Sequence, residues 1–223
     1  MFCQKCGTQI SDNAVACSNC GVLIAAPNPT ALAADKVKVA SKDALKAFKM
    51  FASNPVAGLA GAFESLGRVR ALGVGITFGA LFSLCLLFGI YRLLGGWNTP
   101  SGFNGFIKIL VVSVVPFISF FSACVLGRKA FRGEGDFGHD SFIAGASLLP
   151  FGFAALVAAI FGLGNMEVIA GFSLFAFCLT ILMLFAGLTR IYKISERSAT
   201  IAVPLMLIAS AWLSKIIYTA MLS

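Results

Sequence analysis

The stretch ALGVGITFGALFSLCLLFGIYRL, residues 71–93, decides the fold. It carries no charge until Arg92, which is long enough to snorkel from a buried backbone to the interface. About 20 such residues in a helix cover the ~30 Å of bilayer hydrocarbon, so the stretch reads as a transmembrane helix. The rest of the chain follows the same pattern. FIKILVVSVVPFISFFSACVLG (106–127) and SFIAGASLLPFGFAALVAAIFGL (141–163) are spans of the same kind, as are residues 167–189 and 200–220. Hydrophobic residues make up 59% of the 223 and charged residues 12%, and there are 22 phenylalanines. Soluble domains carry about 25% charged residues, so the composition excludes an ordinary soluble protein. The expected fold class is an all-α integral membrane bundle of five transmembrane helices. Gly164-Asn165-Met166 is too short a connection for anything but a helical hairpin between the third and fourth spans.

The amino-terminal end is of another kind. Cys3-Gln4-Lys5-Cys6-Gly7 and Cys17-Ser18-Asn19-Cys20-Gly21 form two matched C-x-x-C-G knuckles. One tight turn brings two sulfurs to one ion, and the following glycine takes the positive φ that closes the turn. Twenty-odd residues bury too little apolar surface to fold alone, so a metal supplies most of the folding energy. One structural zinc on Cys3, Cys6, Cys17 and Cys20 is the expected cofactor. Iron fits the same four thiolates. Disulfides or redox chemistry are disfavoured, because no secretory signal precedes the knuckles and the strand–helix–strand setting of a thioredoxin dithiol is absent. Four thiolates leave no open position for water, which argues against catalysis at the metal. MFCQKCGTQISDNAVACSNCGVLI (1–24) resembles the small zinc-ribbon modules at the amino termini of many prokaryotic membrane proteins. The fold class therefore includes a small zinc-ribbon β module. Domain boundaries are expected at 1–24 (zinc ribbon), 25–70 (linker with a basic amphipathic helix) and 71–223 (five spans).

Within the linker, Ala25-Ala26-Pro27-Asn28-Pro29-Thr30 is an extended tether. Helical patterning begins near residue 33. Lys38, Lys42, Lys46 and Lys49 fall on one stripe, with Val37, Ala44, Leu45, Phe48, Phe51 and Ala52 largely on the other. A basic amphipathic helix over 33–52 follows, lying in the membrane interface or against the bundle edge. Phe48 and Phe51 point into the apolar side and the four lysines toward anionic headgroups. Asn54-Pro55 ends it, and a second short helix over 56–67 leads into the membrane.

The net charge of +8 is read by location. Eight Lys/Arg precede the first span. Arg128, Lys129 and Arg132 follow the second, and Arg190, Lys193 and Arg197 follow the fourth. With five spans these regions share one side, leaving Arg92, Lys108 and Lys215 near span ends on the other. Positive charge marks the cytosolic side, so the amino terminus is expected there and the carboxyl terminus opposite. The resemblance of residues 1–24 to prokaryotic modules implies a bacterial plasma (inner) membrane. Reduced, metal-competent cysteines fit that side. Lipid contact and orientation account for the charge, and no nucleic-acid partner is expected: the ribbon has Lys5 and Asp12 but no basic cluster.

Inside the spans ionisable groups are scarce, which argues against coupled ion transport. Glu167 sits at the mouth of the fourth span. His139 lies in the loop between the second and third spans, read as flexible, with Asp140 or Ser141 capping the third helix. Cys85, Cys124 and Cys178 are read as small apolar residues. Pro116, Pro150 and Pro204 fall inside spans, as static kinks. Gly75-x-x-x-Gly79 permits close helix contact.

Residues 50–220 resemble the Yip family of five-span membrane proteins, named for interaction with Ypt/Rab GTPases. The resemblance rests on the Asn54-Pro55 approach helix, SFIAGASLLPFGF (141–153), the tight hairpin that follows, and GLTRIYKISERSA (187–199). It implies a role in membrane organisation or trafficking through protein contacts at the cytosolic face. The Asp-Leu-Tyr-Gly-Pro segment of eukaryotic members is missing and a zinc ribbon is foreign to them. The chain therefore resembles a prokaryotic relative, and GTPase binding is not carried over. The expected function is that of a non-enzymatic adaptor or scaffold with an unidentified cytosolic protein partner and scope for homo-oligomerisation. The alternative is a small transporter or channel for a neutral or lipid-like solute. A membrane enzyme would have to draw on Glu134, Asp136, His139 and Asp140.

Overall fold

The computed structural model describes residues 2–3, 5–9, 17–21, 29–93, 102–161 and 166–222, and for 29–37, 51–52, 68–69, 93, 102–104 and 222 the backbone only. Helices α1 (Pro29–Ser53), α2 (Pro55–Leu93), α3 (Gly102–Ala130), α4 (Phe137–Phe161), α5 (Met166–Ala186) and α6 (Glu196–Leu222) make up nearly all of it. A five-residue π-helical turn, Gly187–Ile191, extends α5. Five stretches are long and apolar enough to cross a membrane: Arg70–Arg92, Gly105–Ala130, Phe137–Phe161, Met166–Ile191 and Glu196–Met221. The protein is a membrane-spanning helical bundle. The chain divides into two compact units, Met1–Val39 and Ala40–Ser223.

In the second unit, α2 and α4 form the central pair. A Cβ on Gly75 would stand 2.3 Å from the Ser141 carbonyl carbon, and one on Gly145 would stand 2.3 Å from the Gly75 carbonyl oxygen. The two backbones touch, as the small-residue pattern in the first span permits. Further along, Gly152 meets Phe82 and Gly89 meets Ala155, so the spanning part of α2 runs parallel to α4. On the other side of α4, α5 is antiparallel: Gly187 meets Ile143, the Thr180 hydroxyl donates to the Ser147 carbonyl at 2.7 Å, and Phe153 faces Phe172. Helices α3 and α6 pair in the same antiparallel way, with Gly127 against Met206 and the Tyr218 hydroxyl donating to the Val112 carbonyl at 2.9 Å. Lateral faces of α5 and α6 stay exposed (Leu174, Phe175, Ile208, Trp212), as lipid-facing surface must. The residues of the tight turn at Gly164-Asn165 lie outside those described; only four residues separate α4 from α5.

The sequence reading places a basic amphipathic helix over 33–52 in the interface or against the bundle edge and a second helix over 56–67. In the structure residues 40–66 form two helices whose buried side chains belong to the core cluster. Asn54 ends α1 and caps α2, its Oδ1 accepting the Ala57 N–H at 3.1 Å and its carbonyl the Gly58 N–H at 2.7 Å. From that turn, α2 first runs back beside α1: Met50 reaches Gly61 and Ser65, and Arg70 stands 3.9 Å from Asp43. Ala44, Ala47, Leu59, Ala62 and Leu66 are buried in the core cluster. At Gly67 the chain reverses, with φ 68° and ψ 168°, a backbone setting open to glycine alone without strain. The spanning part of α2 begins there.

Candidate functional site

In the first unit, the described residues build the two knuckles. The Cys3 N–H donates to the Thr8 carbonyl, and the Gly7 N–H closes the first turn on the Cys3 carbonyl at 2.8 Å. The Gly21 N–H does the same on Cys17 at 2.9 Å. Gly7 and Gly21 have φ of 71° and 67°, the positive values that the C-x-x-C-G pattern requires. One antiparallel bridge, Phe2 to Gln9, is the β structure among the described residues. Asn19 Nδ2 donates to Thr8 Oγ1 at 3.0 Å, joining the knuckles through side chains.

The four sulfurs converge. Cys3 and Cys20 Sγ are 3.7 Å apart, Cys6 and Cys17 Sγ 3.6 Å, and all four lie within 4.8 Å of one another. A tetrahedron with Zn–S bonds of about 2.3 Å has edges of about 3.8 Å, so the arrangement fits one ion. A disulfide needs about 2.05 Å, and neither pair approaches it. The Thr8 hydroxyl, 3.3 Å from Cys6 Sγ, is the main influence drawing the Cys6 thiol down to about 6. Backbone N–H groups of Cys20 and Asn19 hold the Cys17 thiol below its ordinary value. Both effects favour thiolate, the form a metal binds. Cys3 and Cys17 are buried while Cys6 is exposed, so the site lies near the surface with all its positions filled by protein.

A second polar centre appears where the sequence reading expected a flexible loop. Asp140 does not cap α4; it lies inside the first turn, completely buried. Asp136 is the cap, its Oδ1 accepting the Gly138 N–H at 2.9 Å and lying 2.9 Å from His139 Nδ1. That contact with His139 holds the Asp136 carboxyl below its usual range. The cap starts the helix four residues before the expected Ser141, and Asp140 consequently turns inward. There Arg128 grips it with two parallel bonds, Nε to Oδ1 at 2.8 Å and Nη2 to Oδ2 at 2.9 Å. Arg128 Nη1 donates to the Gly135 carbonyl at 2.9 Å, and the Tyr192 hydroxyl donates to Asp140 Oδ1. Burial, above all, pushes the Tyr192 phenol well above its ordinary value.

Backbone geometry positions these groups. Helix α3 ends with Gly133 N–H on the Arg128 carbonyl and Arg132 at φ 54°. The π-helical turn closes with Tyr192 N–H on the Gly187 carbonyl at 3.0 Å. The Glu134 N–H then donates to the Tyr192 carbonyl at 2.9 Å, tying the two connections together. Sequence reasoning missed this cluster because it treated Arg128 as loop charge and Asp140 as a cap. The missed signal is Arg128 and Asp140 flanking a short connection beside an aromatic residue in the other one.

The remaining expected residues are dispersed. His139 is buried against Phe63, with ring centroids 4.6 Å apart. With Glu64, Glu134, Arg190 and Lys193 it borders a cavity of about 200 Å³; its Nδ1 meets Asp136, while Asp140 is held by Arg128. The four acid/base candidates thus do not converge on one point. Lys38, Lys42, Lys46 and Lys49 are exposed, and Phe48 is 44% exposed. The side chain of Phe51 lies outside the described residues.

Residues 2–21 match the family model of a zinc-ribbon domain. Comparison with curated proteins and with solved structures returns no match. The match covers the knuckles alone and, with the sulfur geometry, assigns them to one structural zinc.

Proposed function

We propose that this protein is a non-enzymatic membrane adaptor: a zinc-stapled head presented to the cytosol by a five-span bundle. The observation that carries the reading is the closed four-thiolate site. It has no open coordination position, so its contribution is a fixed surface rather than chemistry. The bundle supports the same reading. Its one fully buried carboxylate among the described residues, that of Asp140, is neutralised by Arg128 and offers no ion path. The clustering of Arg128, Lys129, Arg132, Arg190 and Lys193 about the two connections at one end favours that end as cytosolic, in a bacterial inner membrane. The Yip-like features of residues 50–220 extend the reading to membrane organisation, with a protein partner at that face and self-association in the bilayer.

Photo-crosslinking in cells tests the proposal. A photoreactive residue replaces exposed Lys5 or Asn19 in the full chain. A discrete protein adduct is expected, lost in Cys17→Ser, which unfolds the head. Absence of any specific adduct across growth conditions refutes the adaptor reading.

A further inference from the structure

The α1–α2 hairpin has a depth that follows from its contacts. Ala40 lies against Gly73 and Asp43 beside Arg70, near the polar end of the bundle. Phe63 is at that end too, against His139 and Phe142. The turn at Asn54-Pro55 is at the other extreme: Pro55 and Phe48 share a cavity with Pro150 and Phe153. Pro150 is thirteen residues along α4 from Phe137, about 20 Å at 1.5 Å per residue. The 25 residues of α4 measure about 37 Å against ~30 Å of hydrocarbon. Even if the whole excess projects at the polar end, the tip lies on the order of 10 Å inside the hydrocarbon. The hairpin is therefore re-entrant: it dips into one leaflet and returns.

At its tip lies a cavity of about 280 Å³, bounded by Phe48, Pro55, Pro150, Phe153, Phe175 and Leu179 among others. A single water occupies ~30 Å³ and needs polar partners, which this lining does not supply. Left empty, such a space costs stability in proportion to its volume. Phe153 and Phe175 are both more than half exposed, so the cavity communicates with the lipid-facing surface. Hydrocarbon is the medium at that depth. Above it, toward the polar end, α1 presents a basic flank. Lys49 adjoins Phe48 in sequence, and exposed Lys46 and Lys42 follow at about 3 and 9 Å along the axis. Asp43, the one acid in residues 40–53, stands beside Arg70. A headgroup lies above its own chain by such a distance.

We propose that this groove is a lipid site holding one acyl chain of an anionic bilayer phospholipid, its headgroup met by Lys42, Lys46 and Lys49. The hairpin is then a lipid clamp, whatever protein the head engages.

The test uses the full zinc-bound chain in phosphatidylcholine vesicles with a small admixture of a phospholipid carrying a diazirine in its chain. The probe is phosphatidylglycerol in one arm and phosphatidylcholine in the other, with labelled peptides mapped by mass spectrometry. Peptides carrying Phe153 and Phe172–Leu179 are expected to take up the phosphatidylglycerol probe severalfold above the lipid-facing Ile208–Trp212 stretch of α6. Leu179→Trp, which fills the groove, brings that labelling down to the α6 level and leaves α6 unchanged. Leu179→Phe, a smaller filler, gives an intermediate loss and guards against a misfolded variant. Each lysine changed to Gln lowers the anionic preference by up to about fivefold. Labelling spread evenly over all lipid-facing helices, or indifferent to Leu179→Trp and Leu179→Phe, means annular lipid only and overturns the site. Equal labelling by the two headgroups overturns the anionic assignment.

Discussion

Asp140→Ala is the most informative single substitution in the bundle. The Asp140 side chain has no exposure and that of Arg128 has 13%, so the ion pair is withdrawn from water on both sides. Both carboxylate oxygens and all three guanidinium nitrogens are in use, since Nη1 bonds the Gly135 carbonyl and Tyr192 adds a third donor to Asp140. Removing the carboxylate leaves the mostly buried guanidinium without its counter-charge. Loss of one partner of a buried pair costs about 3–5 kcal/mol, and the orphaned Tyr192 hydroxyl adds to it. For a chain of this size, each kcal/mol moves the midpoint by about 2–4 °C, so thermal unfolding of the solubilised protein should fall by roughly 6–20 °C. The double variant Arg128→Met with Asp140→Leu separates the causes. It removes both charges and keeps volume, and it should recover most of the loss, because an apolar pair pays no desolvation. Two results refute the reasoning: Asp140→Ala within about 1 kcal/mol of the parent, or a double variant as unstable as the single one.

The purified chain should contain one zinc, measured by elemental analysis. Cys6→Ser or Cys17→Ser should abolish retention after gel filtration against a chelator; stoichiometric iron would overturn the zinc assignment, and no metal would contradict the sulfur geometry. Gly75→Val should separate α2 from α4, because even a Cβ there meets the Ser141 carbonyl carbon at 2.3 Å; a loss of more than about 3 kcal/mol is expected, and a neutral effect would show the helices are not in backbone contact. Asp136 has a depressed folded pKa, so its capping contribution is complete above the ordinary carboxylate value near 3.8 and is lost as pH falls through the lower folded value. Asp136→Asn should flatten that acid limb of stability, and an unchanged limb would assign the acid sensitivity to other carboxylates.

The spans were legible because hydrophobic length is a one-dimensional property. Residues 71–93, 106–127, 167–189 and 200–220, and the described part (141–161) of the span read at 141–163, fall on helices, and the structure moves the starts outward by a few residues at most. The metal site was legible for a related reason: a C-x-x-C-G knuckle encodes its own turn, and Gly7 and Gly21 carry the positive φ that the pattern demands. What escaped was set by contacts between distant residues. The course of residues 40–66 depends on small side chains, Ala44, Ala47 and Ala62, that become core only once the helices are assembled. Polar neighbours such as Lys46 and Lys49 make the same segment read as an amphipathic helix at the interface or bundle edge. Asp140 escaped because capping by Asp136 and capping by Asp140 differ by one turn, and the choice is settled by Arg128 and Tyr192, respectively 12 and 52 residues away.

The polar cluster and the re-entrant hairpin answer one physical demand at two depths. Four helix ends and two connections crowd into the end of the bundle where the chain reverses at Gly67, around residues 131–136 and at 192–195. Reversals leave backbone groups without helical partners, and near a bilayer those groups need protein donors and acceptors. Arg128 supplies a donor for the Gly135 carbonyl, Tyr192 supplies a carbonyl for the Glu134 N–H, and Asp140 holds both residues in place. The turn at Ser53–Asn54–Pro55 faces the same demand at the hydrocarbon end of the hairpin and meets it more sparingly. Asn54 accepts from Ala57 and Gly58, the Ser53 hydroxyl returns to the Met50 carbonyl at 3.0 Å, and Pro55 has no N–H to satisfy. A turn that closes its own hydrogen bonds within nine residues, 50–58, can sit in hydrocarbon, where a loop of ordinary composition cannot. That economy permits residues 40–66 to enter the leaflet and leaves an apolar groove, rather than a polar crevice, at their tip.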